Sequence, residues 1–201
     1  MDHVNVRRKR QTRCKSYGRT VPDYDVVNYG SLDAGYRKLC TKCFNTEVAE
    51  TVGLKGFQHA ELAPVEVTDS DGGVHLFHFR TRLFGPGVAL DAFEVRDGEP
   101  AGYQYQVIGE PEDDPLKLLA RLIERIRRAL SVKHVRAGSF GLEIADQAVR
   151  GTIGWDETRD GQVPLLNVDG REITWDEFGR MLMSFEGWQF KLEIRDRSEE
   201  L

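Results

Sequence analysis

The alternation of apolar and polar residues predicts an antiparallel sheet in the middle of the chain. From Val74 to Phe84 the side chains alternate between two faces, as is typical of a half-buried strand. Extended structure resumes from Val88 to Arg96, and a third strand follows from Tyr103 to Ile108. The turns Gly85-Pro86-Gly87 and Asp97-Gly98 separate these runs. Strands joined by such short turns form an antiparallel meander.

Beyond Pro111 the apolar period changes to about 3.6 residues, which predicts helix. A stripe of leucine and isoleucine runs from Leu116 to Leu130 and indicates one long amphipathic helix. Farther along, Thr174 and Glu177 have the spacing of a capping box, which predicts a short second helix. A closing strand is expected over Gln189–Ile194, ahead of a charged tail.

The first fifty residues show a different order of elements. Residues 13–19 indicate a tight turn, and short strands are expected over 25–30 and 36–39. A helix is expected over Phe44–Val52, before Gly53. The whole pattern predicts an α+β fold, in which a small knuckle module precedes an antiparallel-sheet domain with one long and one short helix.

Composition divides the chain into three parts. Residues 1–12 are basic and lack apolar periodicity, which predicts a flexible arm. Residues 13–56 make up the knuckle module. Residues 60–201 make up the α+β domain, whose own strand, helix and capping signals predict that it folds by itself. Three tryptophans are expected in its core: Trp155, Trp175 and Trp188.

Hydropathy indicates the compartment. No apolar run approaches the roughly eighteen residues that a membrane-spanning helix needs. The first residues are polar and basic with no apolar stretch behind them, unlike a secretory signal. The protein is therefore expected in the cytoplasm.

Three cysteines are the clearest candidates for chemistry. Cys14 lies in the tight turn, while Cys40 and Cys43 lie where the second short strand meets the helix. An odd number of cysteines clustered at one end favours a metal site over a disulfide framework, and with it a reducing compartment. Zinc takes such ligands in a tetrahedron, and two turns can supply them. The cysteines therefore predict a Zn²⁺ site.

Residues 13–52 resemble a treble clef, in which a Cys-x-x-Cys-Gly knuckle, a hairpin and a helix opened by Cys-x-x-Cys hold one zinc ion. Tyr17 stands where the second knuckle cysteine is expected, so three thiolates leave one position of the ion open. His3, His59, an aspartate or water are the candidates for that position. The alternative is a knuckle that has lost its metal and is held together by packing of Tyr17, Tyr29, Tyr36 and Phe44.

The chain as a whole resembles an uncharacterised bacterial family with a treble-clef-like N-terminal module and an α+β C-terminal domain. The resemblance is carried by the stretches Phe77-His78-Phe79-Arg80 and Phe84-Gly85-Pro86-Gly87. It supports the two-part architecture and implies no activity.

Charge is distributed unevenly along the chain. The first 20 residues carry seven Lys or Arg and one Asp, so they contribute +6 to a net charge of −5 and leave −11 on the remainder. The basic run is either a solvated terminus or a contact for nucleic acid or an acidic partner: Arg7, Arg8, Lys9 and Arg10. A second basic stripe, expected to be solvated or paired with carboxylates, is formed by His78, Arg80 and Arg82.

Motifs of common enzymes are missing from the sequence, including the nucleophile elbow, the zinc-protease helix and the kinase signatures. The favoured hypothesis is an interaction or adaptor protein, whose basic module contacts a protein partner while the acidic domain carries a second surface. The first alternative is a nucleic-acid-binding regulator that uses the basic N-terminus, although the acidic domain would repel a polyanion. The second is an enzyme with an unrecognised site.

Overall fold

The computed structural model describes residues 11–85, 87–139 and 141–199. These ranges combine antiparallel sheets with α-helices, which confirms the predicted α+β fold class. Within the same ranges, every helix is too short or too polar to cross a lipid bilayer.

The N-terminal elements form a turn, a hairpin and a helix. β1 (Gln11–Arg13) pairs antiparallel with β2 (Thr20–Pro22), and the first cysteine lies in the turn between them. β3 (Val26–Ser31) and β4 (Gly35–Cys40) form the hairpin, and α1 (Thr41–Val52) begins at the next residue. The predicted order of turn, hairpin and helix is confirmed.

α1 begins earlier than the predicted Phe44, because Cys40 acts as its N-cap. The backbone of Cys40 is extended, with φ −69° and ψ 156°, and the helical conformation starts at Thr41. Gly53 ends the helix with a φ of 70°, a left-handed conformation that glycine adopts without steric cost.

Four strands form the central antiparallel sheet, in the order β5-β6-β7-β8. They are β5 (Val65–Thr68), β6 (Val74–Phe84), β7 (Gly87–Arg96) and β8 (Glu99–Gly109). The predicted meander of three strands is confirmed. β5 was not predicted and pairs with the first half of β6.

The long helix α2 (Pro115–Leu130) packs one stripe of side chains against this sheet. The buried members of the stripe are Leu118, Leu122, Ile126 and Leu130. They share one hydrophobic cluster with the sheet residues Phe77 and Leu83. Leu116, predicted on the same stripe, is exposed because it lies in the first turn, beyond the edge of the contact.

The C-terminal elements form a smaller α+β layer with a hydrophobic cluster of its own. In chain order they are β9 (Val135–Gly138), β10 (Gly141–Ile144), β11 (Thr152–Trp155), β12 (Pro164–Val168), β13 (Arg171–Thr174) and α3 (Trp175–Leu182). β9 pairs with β10, and β12 lies between β11 and β13. The Thr174 hydroxyl accepts a hydrogen bond from the Glu177 N–H at 3.2 Å, as the capping box predicted.

Two predictions for this region are wrong. Gln189–Ile194 forms no strand, because a strand needs a hydrogen-bonding neighbour as well as an alternating sequence, and the segment pairs with none in the described part of the chain. Trp155, Trp175 and Trp188 are exposed. The C-terminal hydrophobic cluster is small and is filled mainly by aliphatic side chains such as Ile173, and the three indole rings lie outside it.

α1 connects the N-terminal elements to the central sheet. Ala49 is a buried member of the central hydrophobic cluster, and Val48, Leu54 and Phe57 pack against that cluster. Removal of everything before Ala60 would therefore expose part of the central core and lower its stability. Local sequence patterns do not reveal this dependence.

Candidate metal centre

The first cysteine lies in a closed turn. The Cys14 N–H donates to the Arg19 carbonyl and the Gly18 N–H donates to the Cys14 carbonyl, both at 2.9 Å. Gly18 has a φ of 68°, which glycine adopts without steric cost. The Lys15 N–H donates to the Lys38 carbonyl at 2.9 Å. This last bond fixes the turn beside β4, the strand that leads to the other two cysteines.

The other two cysteines lie at the start of α1. Cys40 is the N-cap and Cys43 lies in the first turn. Thr41 is fully buried, and its hydroxyl donates to the Asp25 carbonyl at 3.1 Å, which ties the start of the helix to the segment before β3. The positive end of the helix dipole favours thiolates at these positions.

The three sulfur atoms form one cluster. The Sγ atoms of Cys14, Cys40 and Cys43 all lie within 4.8 Å of one another. The residues are 1%, 6% and 7% exposed, and none of the three is in a disulfide. Thiolates on one tetrahedral zinc ion are about 3.8 Å apart, because each Zn–S bond is about 2.3 Å long. The cluster has the spacing of ligands to a single ion.

The protonation of the cluster differs between its thiols. Burial would raise the pKa of Cys14, but backbone N–H groups of Tyr17, Cys40 and Ser16 donate to its sulfur and lower the pKa to about 7. Burial, aided by hydrogen bonds with the sulfurs of Cys40 and Cys14, raises the pKa of Cys43 to about 12. Cys14 is thus the thiol of this pair that ionises first, and a cation would displace the proton from Cys43.

The fourth position of a tetrahedral ion would need a different donor. Among the described residues, the cysteines are the only group of three or more His, Cys, Asp or Glu side chains whose ligand atoms lie close enough together to share an ion. Tyr17, at the place of the missing knuckle cysteine, is 75% exposed. His59 bonds instead to Asn45, and His3 lies outside the described residues. Water, or a donor outside the described part of the chain, remains for that position.

Asn45 joins the helix of the cysteine cluster to the central sheet. The residue is fully buried, its Oδ1 accepts from the Leu83 N–H at 2.9 Å, and its Nδ2 donates to the Thr81 carbonyl at 2.8 Å. β5 pairs with β6 only as far as Phe77, so the side-chain amide satisfies the backbone where that edge of β6 has no strand neighbour. A single asparagine in a helix carries no sequence signal for such a role.

His59 completes this network. Its Nδ1 lies 2.9 Å from Asn45 Nδ2, and because an amide nitrogen donates, Nδ1 accepts and Nε2 carries the proton. Burial lowers the pKa of His59, although the charges of Asp25 and Glu61 act in the opposite direction. The imidazole is therefore neutral at pH 7, in the form that the bond to Asn45 requires.

The two arginines of the basic stripe on β6 are paired by a buried carboxylate. Asp91 is almost fully buried, and its Oδ2 lies 3.3 Å from Arg80 Nε and 2.9 Å from Arg82 Nη2. Gln106 Nε2 donates to the other carboxylate oxygen at 2.6 Å. The carboxylate pairing that the sequence allowed is confirmed for the two arginines. His78 packs instead against the ring of Tyr24, with ring centroids 5.2 Å apart.

A second polar cluster, which was not predicted, joins the central sheet to the loop between α2 and β9. His75 lies between two carboxylates, with Nε2 3.0 Å from Asp69 and Nδ1 3.0 Å from Glu94. Lys133 Nζ lies 2.5 Å from the Asp69 carboxylate and 3.1 Å from the Tyr103 hydroxyl. Both ring nitrogens of His75 are engaged, which suits a structural ion-pair network better than a metal site.

The predicted polyanion contact lies outside the described residues: Arg7, Arg8, Lys9 and Arg10. The basic stretch continues into the described part as Arg13, Lys15 and Arg19, all exposed around the turn of Cys14. Lys38, beside the same turn, is exposed as well. The described surface around the turn is therefore basic.

These observations define an α+β protein with a buried three-cysteine cluster at its N-terminal end. Three family models match successive parts of the chain: residues 13–55 match Domain of unknown function (DUF7685), residues 58–131 match Domain of unknown function (DUF7686), and residues 134–199 match Domain of unknown function (DUF7713). No curated protein and no solved structure matches the chain. The cysteine cluster falls within the first matched range, and the C-terminal hydrophobic cluster falls within the third.

Proposed function

We propose that the chain is an interaction or adaptor protein whose residues 13–56 form a zinc-binding treble clef. The observation that carries the proposal is the cluster of Cys14, Cys40 and Cys43, three buried free thiols with sulfurs within 4.8 Å of one another. The closed turn, the hairpin and the helix follow one another in the order of a treble clef. The ion would hold the turn against the start of α1 and so stabilise the module.

A structural role for the ion fits its surroundings better than a catalytic one. The sulfurs are buried beside Leu39 and Phe44, within a small apolar cluster. The buried thiolates would fill three positions of the ion and leave only the fourth for another donor, so a substrate would have little room to reach the ion. The reducing cytoplasm that the cysteine content predicts would keep the thiols available for metal.

Metal analysis tests this proposal directly. Protein purified without chelator should contain about one equivalent of zinc, measured by elemental mass spectrometry. Cys14→Ser, Cys40→Ser and Cys43→Ser should each lower the content below about a fifth of an equivalent, because a serine hydroxyl is a poor zinc ligand. Tyr17→Phe is the matched control: it keeps the backbone N–H that donates to Cys14 and should keep the zinc.

Tyr17→Cys extends this experiment to the open position of the ion. A fourth thiolate would close the tetrahedron, so a competing chelator should remove zinc more slowly than from the natural chain. Zinc below about a tenth of an equivalent in the natural chain would contradict the metal site and leave the knuckle as a packed module without metal.

Nucleic acid is the second candidate partner, because exposed basic residues surround the turn of Cys14 and continue the basic arm. Nonspecific duplex DNA should bind weakly at physiological salt, with a Kd of about 10⁻⁴ to 10⁻⁶ M. Replacing Arg7, Arg8, Lys9 and Arg10 together by alanine should reduce the slope of log K against log salt concentration by up to about four. Each side chain removed leaves one phosphate whose counterions are no longer released on binding. Arg121→Ala, on the exposed side of α2, is the control.

The result separates the two kinds of partner. DNA binding that depends on the arm would favour the nucleic-acid-binding regulator. No binding of DNA or of RNA at low salt would exclude nucleic acid and leave an acidic protein surface as the partner of the basic module.

A further inference from the structure

The segment that follows α3 has the side-chain pattern of a strand without a sheet. Phe190, Leu192 and Ile194 are 92%, 74% and 68% exposed and occupy alternate positions. Lys191 and Glu193 lie between them, with Lys191 Nζ 3.2 Å from Glu193 Oε2. An extended chain places alternate residues on opposite faces, so in extended form this segment has one apolar and one charged face.

Hydrogen bonds hold both ends of the segment, while the backbone between them lacks hydrogen-bond partners in the described part of the chain. Before it, the Trp188 N–H donates to the Phe185 carbonyl at 2.9 Å. After it, the Arg125 guanidinium donates to the carbonyls of Arg197 and Ser198 at 3.2 and 3.1 Å. Between these anchors, the backbone of residues 189–194 makes no hydrogen bond to another described residue. An open backbone beside exposed apolar side chains is a template for a further strand.

We propose that two copies of the chain associate through this segment as antiparallel strands, related by a twofold axis at Leu192. In this register Lys191 faces Glu193 of the second copy, and Phe190 faces Ile194 of the second copy. Each of these pairs occurs twice because the interface is symmetric. The backbone groups of both segments gain hydrogen-bonding partners, and aromatic, aliphatic and opposite-charge pairs form across the strands.

The charges select this register over its neighbours. Centring the axis on Lys191 would place the two Lys191 side chains opposite each other. Centring it on Glu193 would place two glutamates opposite each other and Lys191 opposite Arg195. Sliding one strand by a single residue relative to the other would set the apolar face of one copy against the charged face of the other. The register centred on Ile194 would pair Glu193 with Arg195, but it would set Leu192 against Asp196. The register centred on Leu192 pairs opposite charges and sets no apolar side chain of the segment against a charge, which favours a second copy of this chain as the partner.

Exchanging the charges of Lys191 and Glu193 tests the proposal on the full-length chain. Sedimentation equilibrium should show a monomer and a dimer in exchange over about a hundredfold range of micromolar concentrations. Lys191→Glu or Glu193→Lys alone should raise the dissociation constant by about tenfold or more, because both ion pairs become like-charge pairs. The double variant Lys191→Glu/Glu193→Lys should return it to within about threefold of the natural value, since the opposite-charge pairs are rebuilt.

Leu192→Asp should abolish association, because two aspartates would meet on the axis. The matched control is Leu32→Asp, on the strongly exposed turn between β3 and β4, which should leave association unchanged. Circular dichroism of each variant verifies the fold. A natural chain that stays monomeric over the whole range overturns the proposal, and so does a double variant that remains as weak as the single ones. Neither outcome bears on the zinc site, which the metal analysis tests separately.

Discussion

Removing zinc from the purified chain should lower the temperature of its main unfolding transition by about 10 °C. An ion present at about a thousand times its Kd stabilises the folded state by about 4 kcal/mol, and in a chain of this size each kcal/mol shifts the transition by about 2 to 4 °C. The effect should reach beyond the knuckle, because α1 begins at the cysteine cluster and also carries Asn45 and Ala49 into contact with the central sheet.

Differential scanning calorimetry with and without a strong chelator measures this shift. Zinc added back after the chelator is removed should restore the original transition. Cys14→Ser is the control: without its metal it should already unfold at the lower temperature, and the chelator should change nothing further. An unchanged transition in the natural chain would mean that the module is held by packing alone.

Asn45→Ala should lower the free energy of unfolding by about 3 kcal/mol. The substitution leaves the Thr81 carbonyl and the Leu83 N–H without their bonds to the side-chain amide. Each unsatisfied buried group costs about 1 to 3 kcal/mol. Asn45→Asp should be destabilising as well, because a carboxylate can accept from Leu83 but cannot donate to Thr81.

Urea denaturation measures the loss, with Asn28→Ala as the matched control. Asn28 is exposed on β3, so its removal should change stability by less than about 0.5 kcal/mol. The Asn45→Ala variant should still bind zinc, since the Asn45 side chain bonds to β6 and His59. A loss below about 0.5 kcal/mol would show that the contact between α1 and the sheet does not depend on this amide.

Elements governed by local pattern could be predicted from the sequence. β6 occupies the predicted range from Val74 to Phe84, because one face of it is buried and the alternation records that burial. α2 and the Thr174 cap of α3 were predicted because the apolar period of a helix and the spacing of a capping box are also local. The start of α1 was placed three residues late, since the capping role of Cys40 depends on its backbone conformation.

The sequence by itself determined the α+β class, the N-terminal order of turn, hairpin and helix, the three-strand meander and the residue types available for a metal site, because periodicity and cysteine spacing are local properties of the chain. Only the tertiary structure brought Cys14 to Cys40 and Cys43, joined Asn45 to β6 and buried Asp91 between two arginines. It also left the tryptophans and the segment over residues 189–194 exposed. These features depend on which distant parts of the chain pack against each other. That packing sets burial and hydrogen-bond partners, and the local sequence pattern does not record it.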